Sequence, residues 1–136
     1  MYCALRSIRL WTHPKHVPGN LKNFPSQGRI YLEPYGIALI MSPWNYPFML
    51  TLVPLISAIA AGNCVVVKPS ACAPATGKLI ALMADEIFHP CYVKVVEGGR
   101  AENKGLLKEN FDKIFFTGST EVGRSVMSAA AKHLTP

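Results

Sequence analysis

Acidic residues are missing from the first 32 positions. That stretch holds Arg6, Arg9, Lys15, Lys22 and Arg29, and it carries nearly all of the net charge of +6. A basic run of this kind suits nucleic acid or an anionic membrane surface, or simply a solvated connecting segment. It matches no recognisable nucleic-acid module, so a connecting arm is expected and no nucleic-acid partner. Charge is scarce overall, at 16%, and half of the 136 residues are hydrophobic. This balance excludes a disordered chain. It leaves enough apolar mass for one domain with a sizeable core.

Long unbroken apolar runs are also missing. No charged residue lies between Pro34 and Val67, but Pro43, Pro47, Pro54 and the pair Gly62-Asn63 interrupt that stretch. A spanning helix needs about 20 apolar residues in one piece. A buried strand–helix–strand unit is therefore expected, and no membrane span. The four cysteines, Cys3, Cys64, Cys72 and Cys91, form no C-x-x-C pair. The histidines His13, His16, His89 and His133 form no ligand cluster with them, which excludes the common metal-site spacings. Arg6 and Arg9 break the opening apolar stretch, and no signal-peptide core follows. A reduced, cytoplasmic protein is the expectation.

What is present is an alternation of strands and helices. Residues 1–27 are punctuated by Pro14, Pro18, Gly19 and Pro25, with a helix ending near Thr12. Residues 28–34 read as an extended piece leading into the core. Strands are expected at 36–41, 64–67, 92–96 and 112–116. Helices are expected at about 47–61, 74–88, 101–109 and 120–133. Pro47 and Pro74 suit helix starts, and Gly62-Asn63 and His89-Pro90 suit helix ends. Leu79, Ile80, Met83 and Ile87 share one helical stripe, and Val122, Val126, Ala129 and Ala130 another. This is βαβαβαβα, an α/β, Rossmann-like parallel sheet with helices on both faces. The division expected is an N-terminal arm and linking segment, 1–34, and a partial nucleotide-binding domain, 35–136.

Three motifs fall at strand carboxyl ends, where such sheets bind ligands. The first is Met41-Ser42-Pro43-Trp44-Asn45-Tyr46-Pro47-Phe48, a proline-rich turn. It is built to aim the Asn45 amide into a cleft, where its N–H groups suit a developing oxyanion. The plain structural alternatives are core packing for Trp44 and a local backbone cap for Asn45. The second is Val65-Val66-Val67-Lys68-Pro69-Ser70. Its Lys68 offers three donors to a ribose hydroxyl or a phosphate, or is a solvated lysine at a strand end. The third is Phe116-Thr117-Gly118-Ser119-Thr120-Glu121-Val122-Gly123, a strand–turn–helix junction whose free N–H groups suit a pyrophosphate. A Gly–Ser helix start is also often only a cap. The spacing is not G-x-G-x-x-G.

Together these motifs, with the closing Ala129-Ala130-Ala131-Lys132-His133-Leu134-Thr135-Pro136, resemble the aldehyde dehydrogenase superfamily, in its class 3-like branch. The resemblance covers roughly residues 5–136. It implies NAD(P)-dependent oxidation of an aldehyde to a carboxylic acid, with NAD or NADP as cofactor and a homodimer as the full-length form. It implies that Asn45 helps hold the thiohemiacetal oxyanion. It implies that Met41, Ser42, Pro43 and Trp44 line the nicotinamide side, and that Lys68 and Ser70 belong to the segment at the adenosine ribose. Gly98 would let the adenine approach, Val122 would lie beneath it, Ser119 would sit near the diphosphate, and Phe116, Thr117 and Gly118 would neighbour the cofactor. Many relatives carry glutamate after Lys-Pro-Ser, where this chain has Ala71. A Gly-Gln-x-Cys nucleophile segment and a Glu-Leu-Gly-Gly-Lys base segment are absent from the 136 residues. A fragment is therefore expected, inactive on its own. The competing expectation is a catalytically inactive, truncated nucleotide-binding or interaction module.

Overall fold

The computed structural model describes the backbone of residues 2–136 and the side chains from Ala4 onward. The side chain of Cys3 lies outside the described residues. The sheet that carries the motifs has four parallel strands: β3 (Ile37–Met41), β4 (Cys64–Lys68), β5 (Val93–Val95) and β6 (Lys113–Phe116). Before it come helix α1 (Tyr2–Trp11) and strands β1 (Lys15–Val17) and β2 (Gly28–Ile30). Helices α2 (Pro47–Ala60), α3 (Pro74–Ile87), α4 (Arg100–Leu106) and α5 (Thr120–Ala130) alternate with the sheet strands. The strand order is β5-β4-β3-β6. The chain starts in the middle of the sheet, winds outward to β5, then returns to the other side of β3. The strand order therefore reverses between β3 and β6. Open α/β sheets form their ligand crevice at such a reversal.

Register brings the motifs side by side. Met41 pairs with Lys68 on one side and with Phe116 on the other. The central strands β3 and β4 are buried on both faces, as the middle of a parallel sheet requires, whereas the edge strand β6 is half-buried and leaves Phe115 exposed. Ile40, Val65, Val67, Val93 and Val95 pack against Leu55 of α2 and against Ile80 and Ala84 of α3. Leu39 and Met41 face the opposite side, against Phe111, Val126 of α5 and the half-buried Leu106 of α4. The helices thus cover both faces, as the alternation implied. Each fully buried Val, Leu or Ile contributes about 1.5–3 kcal/mol relative to an exposed one.

Helix α2 starts with Pro47 at its first turn and runs through Pro54. Proline at 54 removes the N–H that would reach the Leu50 carbonyl, and the helix continues on its remaining bonds. Gly62, at φ +85°, turns the chain back. Asn63, buried, then donates to the Ala58 carbonyl and accepts from the Gly36 N–H.

Three details differ from the sequence reading. Lys15–Val17, expected as irregular chain, is a strand that pairs antiparallel with Gly28–Ile30, the start of the stretch expected to be extended. All three β1 residues are exposed, so no apolar alternation marked the strand. The buried stripe of α3 is Gly77, Ile80 and Ala84, whereas Leu79 and Ile87 are exposed. Gly77 faces Pro69, where an added Cβ would make an ordinary 3.6 Å contact, and Ala84 packs in the core with Ile80. The last helix ends at Ala130 and tightens into a 3-10 turn at Ala131–His133.

Candidate functional site

A cleft of about 630 Å³ opens at the carboxyl ends of the strands. Met41, Ser42, Pro43, Trp44, Asn45, Lys68, Ser70, Phe116, Thr117, Gly118, Ser119 and Val122 all line it. Gly98 does not. It lines a smaller neighbouring cavity of about 150 Å³ with Ser70 and Ala71. Backbone bonds stitch the motifs together. The Ser42 N–H donates to the Lys68 carbonyl at 3.2 Å, and the Thr117 N–H donates to the Met41 carbonyl at 3.0 Å.

The turn after β3 is fastened to α2 by a buried hydroxyl relay. Thr51, fully buried, donates Oγ1–H to the Pro47 carbonyl at 2.6 Å. Its single proton is thereby used, so the Ser42 hydroxyl is the donor in the 2.6 Å contact between the two side chains. Tyr46 adopts a left-handed φ of 45° immediately before the helix. Trp44 and Asn45 are exposed at the mouth of the cleft. Trp44 is therefore not core, being 66% exposed. Asn45 caps nothing: the N-cap of α2 is Tyr46, with no side-chain cap bond. Its amide has no hydrogen-bond partner among the described residues.

Lys68 is not a solvated strand-end lysine. It is 3% exposed. Its Nζ donates to the Pro69 carbonyl at 2.8 Å and to the Gly98 carbonyl at 2.6 Å. One of its three donors is left facing the cleft. Burial pushes its pKa below the usual 10.5, and the nearby Glu102 carboxylate partly offsets this. Glu102 is held below the usual carboxylate range mainly by backbone N–H groups, its own first and then that of Gly99. The Gly99 N–H donates to Glu102 Oε2 at 2.6 Å. Gly98 takes φ +121°, and a Cβ there would run into the Glu102 side chain, so only glycine fits.

Ser119 is the N-cap of α5, and its Oγ accepts from the Val122 N–H at 3.4 Å. The cap reading therefore holds for Ser119, and the bond is long enough to be exchanged for a ligand oxygen. Gly118 keeps the cleft wall open beside Phe116, since a Cβ there would lie 2.6 Å from the ring's Cζ.

Sequence reasoning missed one wall. Arg100 and Asn103, on α4, also line the cleft. They sit three residues apart and so share a helix face. Asn103 Oδ1 is buried with no hydrogen-bond partner. The pair directly follows Gly98-Gly99 at the carboxyl end of β5, and that position was the available signal. Lys68 and Arg100 are the two charged side chains lining the cleft. Among the described residues no group of His, Cys, Asp and Glu is arranged to hold a metal ion, and no helix is long and apolar enough to cross a membrane.

Mouse (Mus musculus) aldehyde dehydrogenase family 3 member B1 is 51% identical over 133 residues, which is 98% of this chain and 28% of that protein. The solved substrate-bound state of Staphylococcus aureus AldH is 43% identical with a TM-score of 0.97, covering 99% of this chain and 30% of that one. A solved NAD-dependent benzaldehyde dehydrogenase from Corynebacterium glutamicum is 31% identical with a TM-score of 0.76, covering 93% of this chain and 28% of that one. This chain therefore spans less than a third of the length of these relatives. Residues 10–136 match the family model described as "Aldehyde dehydrogenase family". With a family-model match over residues 10–136, half of its residues identical to those of a family 3 member and a backbone that superposes on a solved relative at a TM-score of 0.97, the chain belongs to the aldehyde dehydrogenase family.

Proposed function

We propose that this chain forms the dinucleotide-binding part of an enzyme that oxidises an aldehyde to a carboxylic acid with NAD or NADP. One observation carries the reading: Asn45, Lys68 and Ser119, from three separate motifs, converge on one cleft at the strand reversal. The cleft's volume is in the range of small-molecule and cofactor sites. Its donor set suits a polyanion: the ammonium of Lys68, the guanidinium of Arg100 and the N-terminal N–H groups of α5. The unpartnered Asn103 acceptor suits a hydroxyl or amino group.

The dinucleotide, when bound, supplies the hydride-accepting ring. Lys68 orients a ribose or phosphate with its remaining N–H. Ser119 and the start of α5 hold the diphosphate. Met41, Ser42, Pro43 and Trp44 line the nicotinamide side, and the relay through Thr51 keeps that wall rigid. Asn45 aims a free amide N–H at the position where an aldehyde oxygen becomes negative, which stabilises the transition state more than the ground state. The nucleophile and the base that complete the reaction are supplied outside these 136 residues, so the isolated chain is expected to bind nucleotide without turnover. Residues 1–34 serve as a linking arm, and 35–136 as the partial domain. The exposed Leu10, Leu21 and Phe24 of the arm, with Trp11, support assembly into a dimer in the whole enzyme. The free thiols of Cys64, Cys72 and Cys91 support a reducing, cytoplasmic setting. The partner is a small aldehyde, with no nucleic acid.

Titrating the chain with NADH and following nucleotide fluorescence tests the binding role. Saturable binding is expected, together with its loss in Lys68→Met and no NAD(P)H formation when aldehyde and NAD(P) are added. Failure to bind, or full affinity in the variant, refutes the reading.

A further inference from the structure

The geometry points to a cleft whose α4 wall, through Arg100 and Asn103 and with Ala71 in the same lining, selects a ribose carrying a 2′-phosphate: the cofactor is NADP rather than NAD. The inference rests on the dinucleotide reading above and deepens it.

A site that prefers an unphosphorylated ribose presents a carboxylate, which accepts hydrogen bonds from the 2′- and 3′-hydroxyls and repels phosphate. A site that accepts the phosphate presents an arginine instead. No carboxylate lines this cleft. Ala71, three residues after Lys68, is exposed and ends in a methyl group, so it neither accepts a hydroxyl nor repels an anion. Arg100 lines the same cleft and makes no ion pair with any described carboxylate. The two carboxylates nearest to it in sequence are Glu97 and Glu102. Glu102 is occupied with the Gly99 N–H. Glu97 lies in the adjoining small cavity with Gly98 and Ala71. The bond from Lys68 Nζ to the Gly98 carbonyl holds the loop after β5 against the end of β4, and so keeps α4 beside the Lys68–Ala71 segment. Lys68 already spends two of its three donors on carbonyls, whereas the Arg100 guanidinium has no partner among the described residues. Arg100 offers a bidentate guanidinium, the geometry that matches a phosphate. Asn103, on the same helix face, offers its orphaned Oδ1 to the neighbouring 3′-hydroxyl.

The test uses the ribose half alone, so that it does not depend on the nicotinamide end. The chain is titrated calorimetrically at low salt with adenosine 2′,5′-bisphosphate and with AMP, and the pair NADP and NAD is measured in parallel. A bidentate charged contact is expected to favour each 2′-phosphorylated ligand by about tenfold or more. Raising the salt should shrink that preference. Arg100→Gln should abolish it, lowering the affinity for adenosine 2′,5′-bisphosphate by about tenfold more than it lowers that for AMP. Ala71→Glu, a change at an exposed position, should reverse it. Circular dichroism and thermal melting establish that both variants fold, and Arg100→Lys, which keeps the charge, should retain part of the preference. Equal affinity for the two mononucleotides, or a preference that survives Arg100→Gln, overturns the inference and leaves the dinucleotide reading standing. An NAD preference lost in Glu97→Gln overturns it in favour of Glu97 as the ribose acceptor. Failure of all four ligands to bind overturns both readings.

Discussion

Replacing Thr51 by valine keeps the shape of a fully buried side chain and deletes its hydroxyl, with consequences that the relay makes calculable. The change removes two short hydrogen bonds, the one to the Pro47 carbonyl and the one from Ser42. Each is worth about 1 kcal/mol net. It also strands the Ser42 hydroxyl, which is 8% exposed, at a further cost of about 1 kcal/mol. Thr51→Val is thus expected to cost about 3 kcal/mol. Ser42→Ala removes one bond and leaves Thr51 still donating to Pro47, so it should cost about 1 kcal/mol. The double variant loses both bonds but strands no donor, and should cost about 2 kcal/mol. The singles then overestimate the double by about 2 kcal/mol, a coupling well above the additivity error of a few tenths. Urea unfolding at 25 °C with the slope held common measures all four proteins. Nucleotide affinity should fall with Thr51→Val, because the same relay seats the turn bearing Asn45. Additive costs, or a Thr51→Val cost under about 0.5 kcal/mol, would refute the relay.

Asn45→Ala should change stability by less than about 0.5 kcal/mol, because the amide is exposed and bonds to nothing in the chain. A loss above about 1.5 kcal/mol in the same unfolding assay would restore the local-cap role. Lys68 supplies a pH test. Its folded pKa lies below the usual 10.5, so the unfolded chain holds that proton to higher pH than the folded one. The burden of burying the charge is full below the folded value and is relieved as pH climbs from there toward 10.5. The stability of the natural chain minus that of Lys68→Met should therefore rise with pH across that window. A flat or falling difference would contradict a desolvated ammonium. Gly118→Ala places a methyl 2.6 Å from the Phe116 ring, so the ring, which lines the cleft, must shift. About tenfold weaker nucleotide binding is expected from a displacement of about 1.4 kcal/mol, and unchanged binding in the same titration would show that the ring moves aside freely.

The alternation of β-branched runs with helical stretches, punctuated by Pro47, Gly62 and Pro74, determined the four strands and four helices of the sheet by itself. It did so because each signal is local: periodicity of burial, a missing N–H or a permitted positive φ. It also placed the three motifs at strand ends, since a parallel sheet puts every β-to-α turn on one edge. The exposed ribbon of β1 and β2 left no such local mark. Tertiary structure alone decided which alternatives were real at the site. Lys68 becomes a buried cation only because the Gly98 carbonyl, thirty residues away, is brought onto its ammonium. Trp44 turns outward and Asn45 stands uncapped because Ser42 and Thr51 seat the turn from below. Arg100 and Asn103 join the cleft because the Lys68–Gly98 bond holds the loop leading into α4 at the end of β4 and Leu106 of α4 packs against the cluster of Leu39 and Met41, a juxtaposition of distant segments that no window of sequence contains.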